Sequence, residues 1–258
     1  MNILINKVRE RVRRLLPLCL LAVLPFQSYA LTKAEADSAY VRGEYQKAVG
    51  LYENLLREGG SPDLYYNLGN AYYRTDDIPH AVLNYERALL LSPGDRDIRF
   101  NLQLARSKTI DKITPEQEMF FVIWYRSLVN LESVDGWARI ALASIALAII
   151  LALVYLFSER IWLRKIGFFG SVAPIVVFVF SNVFAHQQKQ QLVKRTGAII
   201  MAPAVTVKST PAYNGTDLFI LHEGTKVTVT DASMKTWRAI RLADGKEGWI
   251  EVKHLEVI

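Results

Sequence analysis

The chain has 258 residues, about half of them hydrophobic, with 14 Gly and 9 Pro, which leaves room for one to three domains and excludes a disordered or collagen-like polymer. Its formal charge is +6, but Lys7, Arg9, Arg11, Arg13 and Arg14, less Glu10, supply most of that surplus near the N-terminus. The remainder is small and scattered, without the clustered basic face of a nucleic-acid binder.

Those basic residues precede an apolar run, Leu15 to Phe26, and then Gln27-Ser28-Tyr29-Ala30 with small side chains placed for a cut. The pattern predicts a secretory signal peptide over residues 1–30, cleaved after Ala30. A helix over that run rises only about 18 Å, short of the ~30 Å hydrocarbon core of a bilayer. Cys19, the only cysteine, follows Leu18 rather than a small residue, which argues against lipidation, and no thiol remains after cleavage.

Residues 31–110 carry a repeat. Between Pro62 and Pro93, Tyr65, Leu68, Gly69, Tyr72, Ala81, Tyr85 and Ala88 stand at the spacing of the tetratricopeptide repeat, a helix-turn-helix unit of about 34 residues. Small Gly69 and Ala81 belong where paired helices cross, with the tyrosines and Leu68 as the surrounding core. A weaker copy precedes it, with Gly43, Tyr45, Ala48, Tyr52 and Leu55. The stretch Arg99 to Leu104 resumes the helical pattern as a cap. The first helix of each pair lines the groove of such a solenoid, which makes Tyr66, Asn67, Asn70, Tyr73, Arg74 and, on the cap, Asn101 candidate peptide-binding residues. Tetratricopeptide domains that clamp a terminal carboxylate also use basic residues on a third helix pair. Here Asp97 stands near that place, so the clamp is incomplete.

Residues 111–139 contain Phe120, Phe121, Ile123, Trp124, Tyr125, Leu128 and Trp137, and are expected to form an amphipathic segment lying on the membrane or packed on the repeats. Uncharged apolar runs follow at 140–157 and 166–185, each long enough to cross a bilayer. Arg160, Arg164 and Lys165 in the loop 158–165 fit retention in the cytoplasm. With an exported N-terminus, this order places residues 31–139 and 186–258 in the periplasm, as an inner-membrane protein with both soluble parts on one face. No buried charge within the spans suggests a transport path.

After a linker at 186–196, residues 197–258 alternate in short strands, with Thr225 to Thr230, Trp237 to Leu242 and Gly248-Trp249-Ile250 as examples, and Asp244-Gly245 marks a tight turn. The expected fold is an all-β barrel that looks like the bacterial SH3 domain, with Trp237 and Trp249 in its core or on its rim. The fold class is therefore a multi-domain membrane protein: an α-solenoid, two transmembrane helices and a C-terminal SH3-like barrel.

Motifs for chemistry are missing. His80, His186, His222 and His254 are scattered, His222-Glu223 lacks a second histidine at the zinc-protease spacing, and neither a nucleophile elbow nor a phosphate-cradling loop occurs. We expect no enzyme activity, no metal site and no cofactor.

The order of parts resembles the BatE family of the Bacteroides aerotolerance operon. The tracts carrying the likeness are Tyr65-Tyr66-Asn67-Leu68-Gly69-Asn70-Ala71-Tyr72, Asp97-Ile98-Arg99-Phe100-Asn101-Leu102 and Leu221-His222-Glu223-Gly224-Thr225-Lys226-Val227. The resemblance implies a scaffold in an envelope stress or aerotolerance complex, alongside von Willebrand A domain membrane proteins and a MoxR-type ATPase. The residues themselves leave two functions open: an adaptor using the groove, or a cell-wall tether whose SH3-like domain binds peptidoglycan peptides.

Overall fold

Chain punctuation sets the helices of the first half. The computed structural model describes residues 24–258, with side chains from residue 33 onward; most of the expected leader, with Cys19, lies outside the described residues. Helix α1 (Leu24–Val41) turns at Gly43, which takes φ +79°, into α2 (Tyr45–Glu58). Helix α3 (Pro62–Arg74) opens on Ser61, whose hydroxyl accepts the Leu64 N–H at 3.2 Å, with Pro62 where no N–H is required. Asp77 caps α4 (Ile78–Leu91) and Asp95 caps α5 (Arg96–Lys108) in the same way. The result is two helix pairs and a cap.

Ala48, Tyr52, Leu55, Leu64, Leu68 and Ala71 form one buried cluster between the pairs. A Cβ at Gly69 would lie 2.8 Å from ring atoms of Tyr85, so glycine is what lets α3 and α4 approach. Tyr85 is fully buried, as the spacing predicts, whereas Tyr65 and Tyr72 are only half-buried. The Tyr72 ring also stacks on His80.

The segment 111–139 divides into three parts. Residues 111–119 form neither helix nor strand, α6 covers Phe120–Val129, and α7 already begins at Val134. Helices α7 (Val134–Phe157) and α8 (Ile161–Lys194) form an antiparallel hairpin and are both long and apolar enough to cross a membrane. Only 17% of each apolar window is buried, so their Leu, Ile, Val and Phe side chains point outward instead of forming a soluble core. The two helices touch closely at Gly167, where a Cβ would lie 2.6 Å from the Leu151 carbonyl oxygen. Small residues allow this kind of approach between apolar helices.

The C-terminal part is one antiparallel sheet of β1 (Gly197–Ile200), β2 (Ala204–Lys208), β3 (Asp217–His222), β4 (Lys226–Asp231), β5 (Trp237–Arg241), β6 (Glu247–Glu251) and β7 (Leu255–Val257). Strand order is β3-β2-β6-β5-β4-β1-β7. No ladder joins β3 to β7, so the sheet is open where a closed barrel was expected. It still curls over a core of Ile200, Val207, Leu221, Val227, Ile240 and Ile250. The Asp244-Gly245 turn joins β5 to β6 with Gly245 at φ +84°. Trp237 is buried and Trp249 half-buried.

The sheet docks directly on the solenoid. Ile199 and Ile258 join Ala81, Val82, Leu83, Tyr85, Leu102 and Ala105 in one apolar cluster. Glu86 on α4, almost fully buried, pairs with Arg106 of α5 and with Lys226 of β4 at 2.7 Å. Arg87 reaches Glu256 at 2.9 Å and the Val257 carbonyl at 2.6 Å. The solenoid and the sheet therefore lie at the same end of the hairpin and form one head.

Candidate peptide-binding groove

Helices α1, α3 and α5 line one side of the solenoid, while β1 and β4 rest against α4. The sheet thus leaves the groove side open. Across that side runs a repeated hydrogen-bond motif. The Tyr52 hydroxyl donates to Asp37 Oδ1 at 2.6 Å and Asn67 Nδ2 donates to the same atom at 3.3 Å. One repeat later the Tyr85 hydroxyl donates to Asn70 Oδ1 at 2.7 Å, and Asn101 Nδ2 donates to it at 2.9 Å. Each tyrosine lies 15 positions after its acceptor, so the rungs recur with the repeat. Burial pushes the Tyr52 and Tyr85 hydroxyls up, which keeps both as donors.

The six predicted residues consequently separate into two groups. Asn67, Asn70 and Asn101 stitch neighbouring helices together, and Tyr66 joins them by accepting from Asn101 at 2.9 Å. Tyr73 and Arg74 lie toward the C-terminal end of α3, where Lys108 covers the Tyr73 ring at 4.4 Å and Arg74 is exposed beside the Tyr40 hydroxyl. This rim combines two cations, of which Lys108 is also paired with Asp76 at 3.1 Å, with two aromatic rings. Sequence reading missed Asp37, Tyr40 and Lys108. The offset between Tyr52 and Tyr85 in the repeat puts Asp37 at the position equivalent to Asn70, and that was the available signal.

A second concavity lies on the sheet. It is a cleft of about 210 Å³ whose lining includes Lys208, Tyr213, Trp237, Glu251 and His254. The exposed Tyr213 ring stands edge-on to Trp237 at 5.5 Å, and its hydroxyl donates to Glu251 at 3.2 Å. Lys253, bonded to Glu251 at 3.0 Å, holds that carboxyl below its ordinary range and therefore negative.

Residues 62–95 match the tetratricopeptide repeat family. These residues span α3, α4 and the turn that follows, including Asn67 and Asn70 of the motif. A search of curated proteins found no match to this chain. Tetratricopeptide repeats are associated with protein–protein interaction, and the chain carries that kind of domain next to two helices long enough to cross a membrane.

Proposed function

We propose that this protein is a non-enzymatic adaptor of the inner membrane, with its head in the periplasm and its groove receiving a peptide segment of another envelope protein. One observation carries the reading: the sheet occupies the α4 side of the solenoid and leaves the groove side, with Tyr73, Arg74 and Lys108 on its rim, uncovered. An extended peptide bearing carboxylates suits a rim of cations over aromatic rings. The resemblance to the BatE family points to partners with von Willebrand A domains and a MoxR-type ATPase system, in an aerotolerance or stress complex. A photo-crosslinking side chain at position 73 of the full-length protein tests this. A discrete adduct with an envelope protein is expected, absent when the same group stands at exposed Arg57 and lost in Arg74→Glu. Identical adducts from both positions, or none, remove the support.

A second reading is favoured by the Tyr213–Glu251 cleft. An aromatic face beside a carboxylate suits an ammonium group, and peptidoglycan stem peptides carry free amines. In this reading the sheet, as an SH3-like module, tethers the head to the wall. Full-length protein in detergent would then pellet with purified sacculi, and Tyr213→Ala would abolish the pelleting.

A further inference from the structure

Helix α6 presents one of the most apolar exposed surfaces outside the hairpin. Phe120 is 83% exposed and Trp124 65%, and Phe121 and Ile123 are also open. Neither the solenoid nor the sheet covers them. Ten residues rise about 15 Å, too short to cross a bilayer.

What lies against this surface follows from where α6 is fixed. The Tyr125 hydroxyl donates to Gln187 Oε1 at 2.5 Å, and its ring meets Phe184. Trp137 packs on the same Phe184 at 5.0 Å. The Gln188 amide donates to the carbonyls of Val129 and Glu132, both at 2.7 Å, clamping the turn between α6 and α7. All these contacts fall where the apolar part of α8 gives way to His186-Gln187-Gln188-Lys189. In a spanning helix that transition marks the headgroup level, where amphipathic aromatic rings collect. Head contacts complete the placement: Glu116 N–H donates to the Ala243 carbonyl at 2.9 Å, and Gly94 abuts the Leu131 carbonyl.

We propose that α6 lies in the plane of the membrane, with Phe120, Phe121, Ile123 and Trp124 in the boundary between headgroups and acyl chains, and that it seats the head at a fixed tilt. This rests on the reading that α7 and α8 span the bilayer. The occupant of the apolar face is lipid, because the face continues the outward apolar surface of the hairpin at its outer edge. The Arg126–Glu118 ion pair, at 2.9 Å, stands in the same segment as a polar counterpart.

The test uses the full chain in a Cys19→Ala background, reconstituted without other proteins into phosphatidylethanolamine–phosphatidylglycerol vesicles. An environment-sensitive fluorophore is attached through Ile123→Cys, through Ile149→Cys within α7, or through Gln103→Cys on the head. The probe at 123 is expected to shift to the blue and to lose intensity to brominated acyl chains, to a degree between those at 149 and 103. Water-like emission at 123 with strong quenching at 149 overturns the in-plane helix alone. A blue shift at 123 without quenching assigns the face to a second copy of the chain and also overturns it. Absence of quenching at 149 overturns the spanning hairpin, and the in-plane helix with it.

Discussion

Asn70 has a structural task beyond the one its groove position suggests. On a groove-facing helix position its amide looks available for a peptide backbone, yet its oxygen is already the shared acceptor for Tyr85 and Asn101. Replacing it by Ala leaves the buried Tyr85 hydroxyl without this partner, at a cost of about 1–3 kcal/mol. Asn101→Ala removes a donor from a half-buried site and is expected to cost less. Asn70→Asp copies the acceptor that Asp37 supplies in the preceding repeat and should stay near wild type. Thermal unfolding of the three variants in nanodiscs checks the order. Equal losses for Asn70→Ala and Asn101→Ala would contradict the shared-acceptor account. The groove residues were legible as positions, because helix periodicity fixes which residues share a face. Their partners were not, since a rung links residues about thirty apart and depends on the angle between helices.

Among the elements, the strap 111–119 meets the sheet through Ile113, the Glu116 N–H and above all one carboxylate. Asp111 accepts from the His222 N–H at 2.7 Å and from the Thr225 hydroxyl at 2.6 Å, with the His222 ring at 2.9 Å. Burial by itself would raise the Asp111 carboxyl, but the Thr225 and His222 hydrogen bonds outweigh it and hold the group below its ordinary value. A depressed carboxylate stabilises the fold fully above the unfolded aspartate pKa of about 3.9 and loses that contribution as pH falls through the lower folded value. Asp111→Asn should therefore melt below wild type at neutral pH. The gap should narrow below about pH 4, where the wild-type group itself protonates. A gap unchanged down to the acid limit of folding would show that charge is irrelevant here. Nothing in the sequence around Asp111 announces the contact, because His222 lies 111 positions away. By contrast, the Asp244-Gly245 turn was readable, since positive φ there is a local demand. Closure of the sheet was not, because alternation reports which residues face inward and says nothing of which strands pair at the edges.

At the scale of the whole molecule, the joint between solenoid and sheet determines what can be tested. Lys226→Glu would set a second carboxylate opposite buried Glu86, which Arg106 then neutralises only in part. A short bis-maleimide should bridge Arg87→Cys and Glu256→Cys in the parent head, and Lys226→Glu should abolish the bridge. Persistent bridging would mean that the apolar cluster around Ile199 and Ile258 suffices. The joint also demands that both parts lie on one side of any membrane the hairpin crosses. Single cysteines at Ser61 and Thr216 in Cys19→Ala protein should react with an impermeant maleimide when only the outer membrane is opened, and one at Ser158 should not. Labelling at Ser158 alone would invert the proposed orientation. The segments of the head were apparent from periodicity and composition, whereas their docking was not, because Glu86 and Lys226 are brought together from 140 positions apart.

That distance has a consequence for biosynthesis. A nascent chain completes α4 and α5 long before β1, β4 and β7 exist, and domains generally form as they emerge. Until the strands arrive, the apolar surface of α4 and α5 that later meets Ile199 and Ile258 faces water and would otherwise attract other unfinished chains. Glu86 lies beside that surface and, before Lys226 reaches it, keeps a charged pair with Arg106 there. A charge next to a temporarily bare apolar surface discourages aggregation. The same side chain would thus act as a gatekeeper during synthesis and as the buried centre of the joint afterwards.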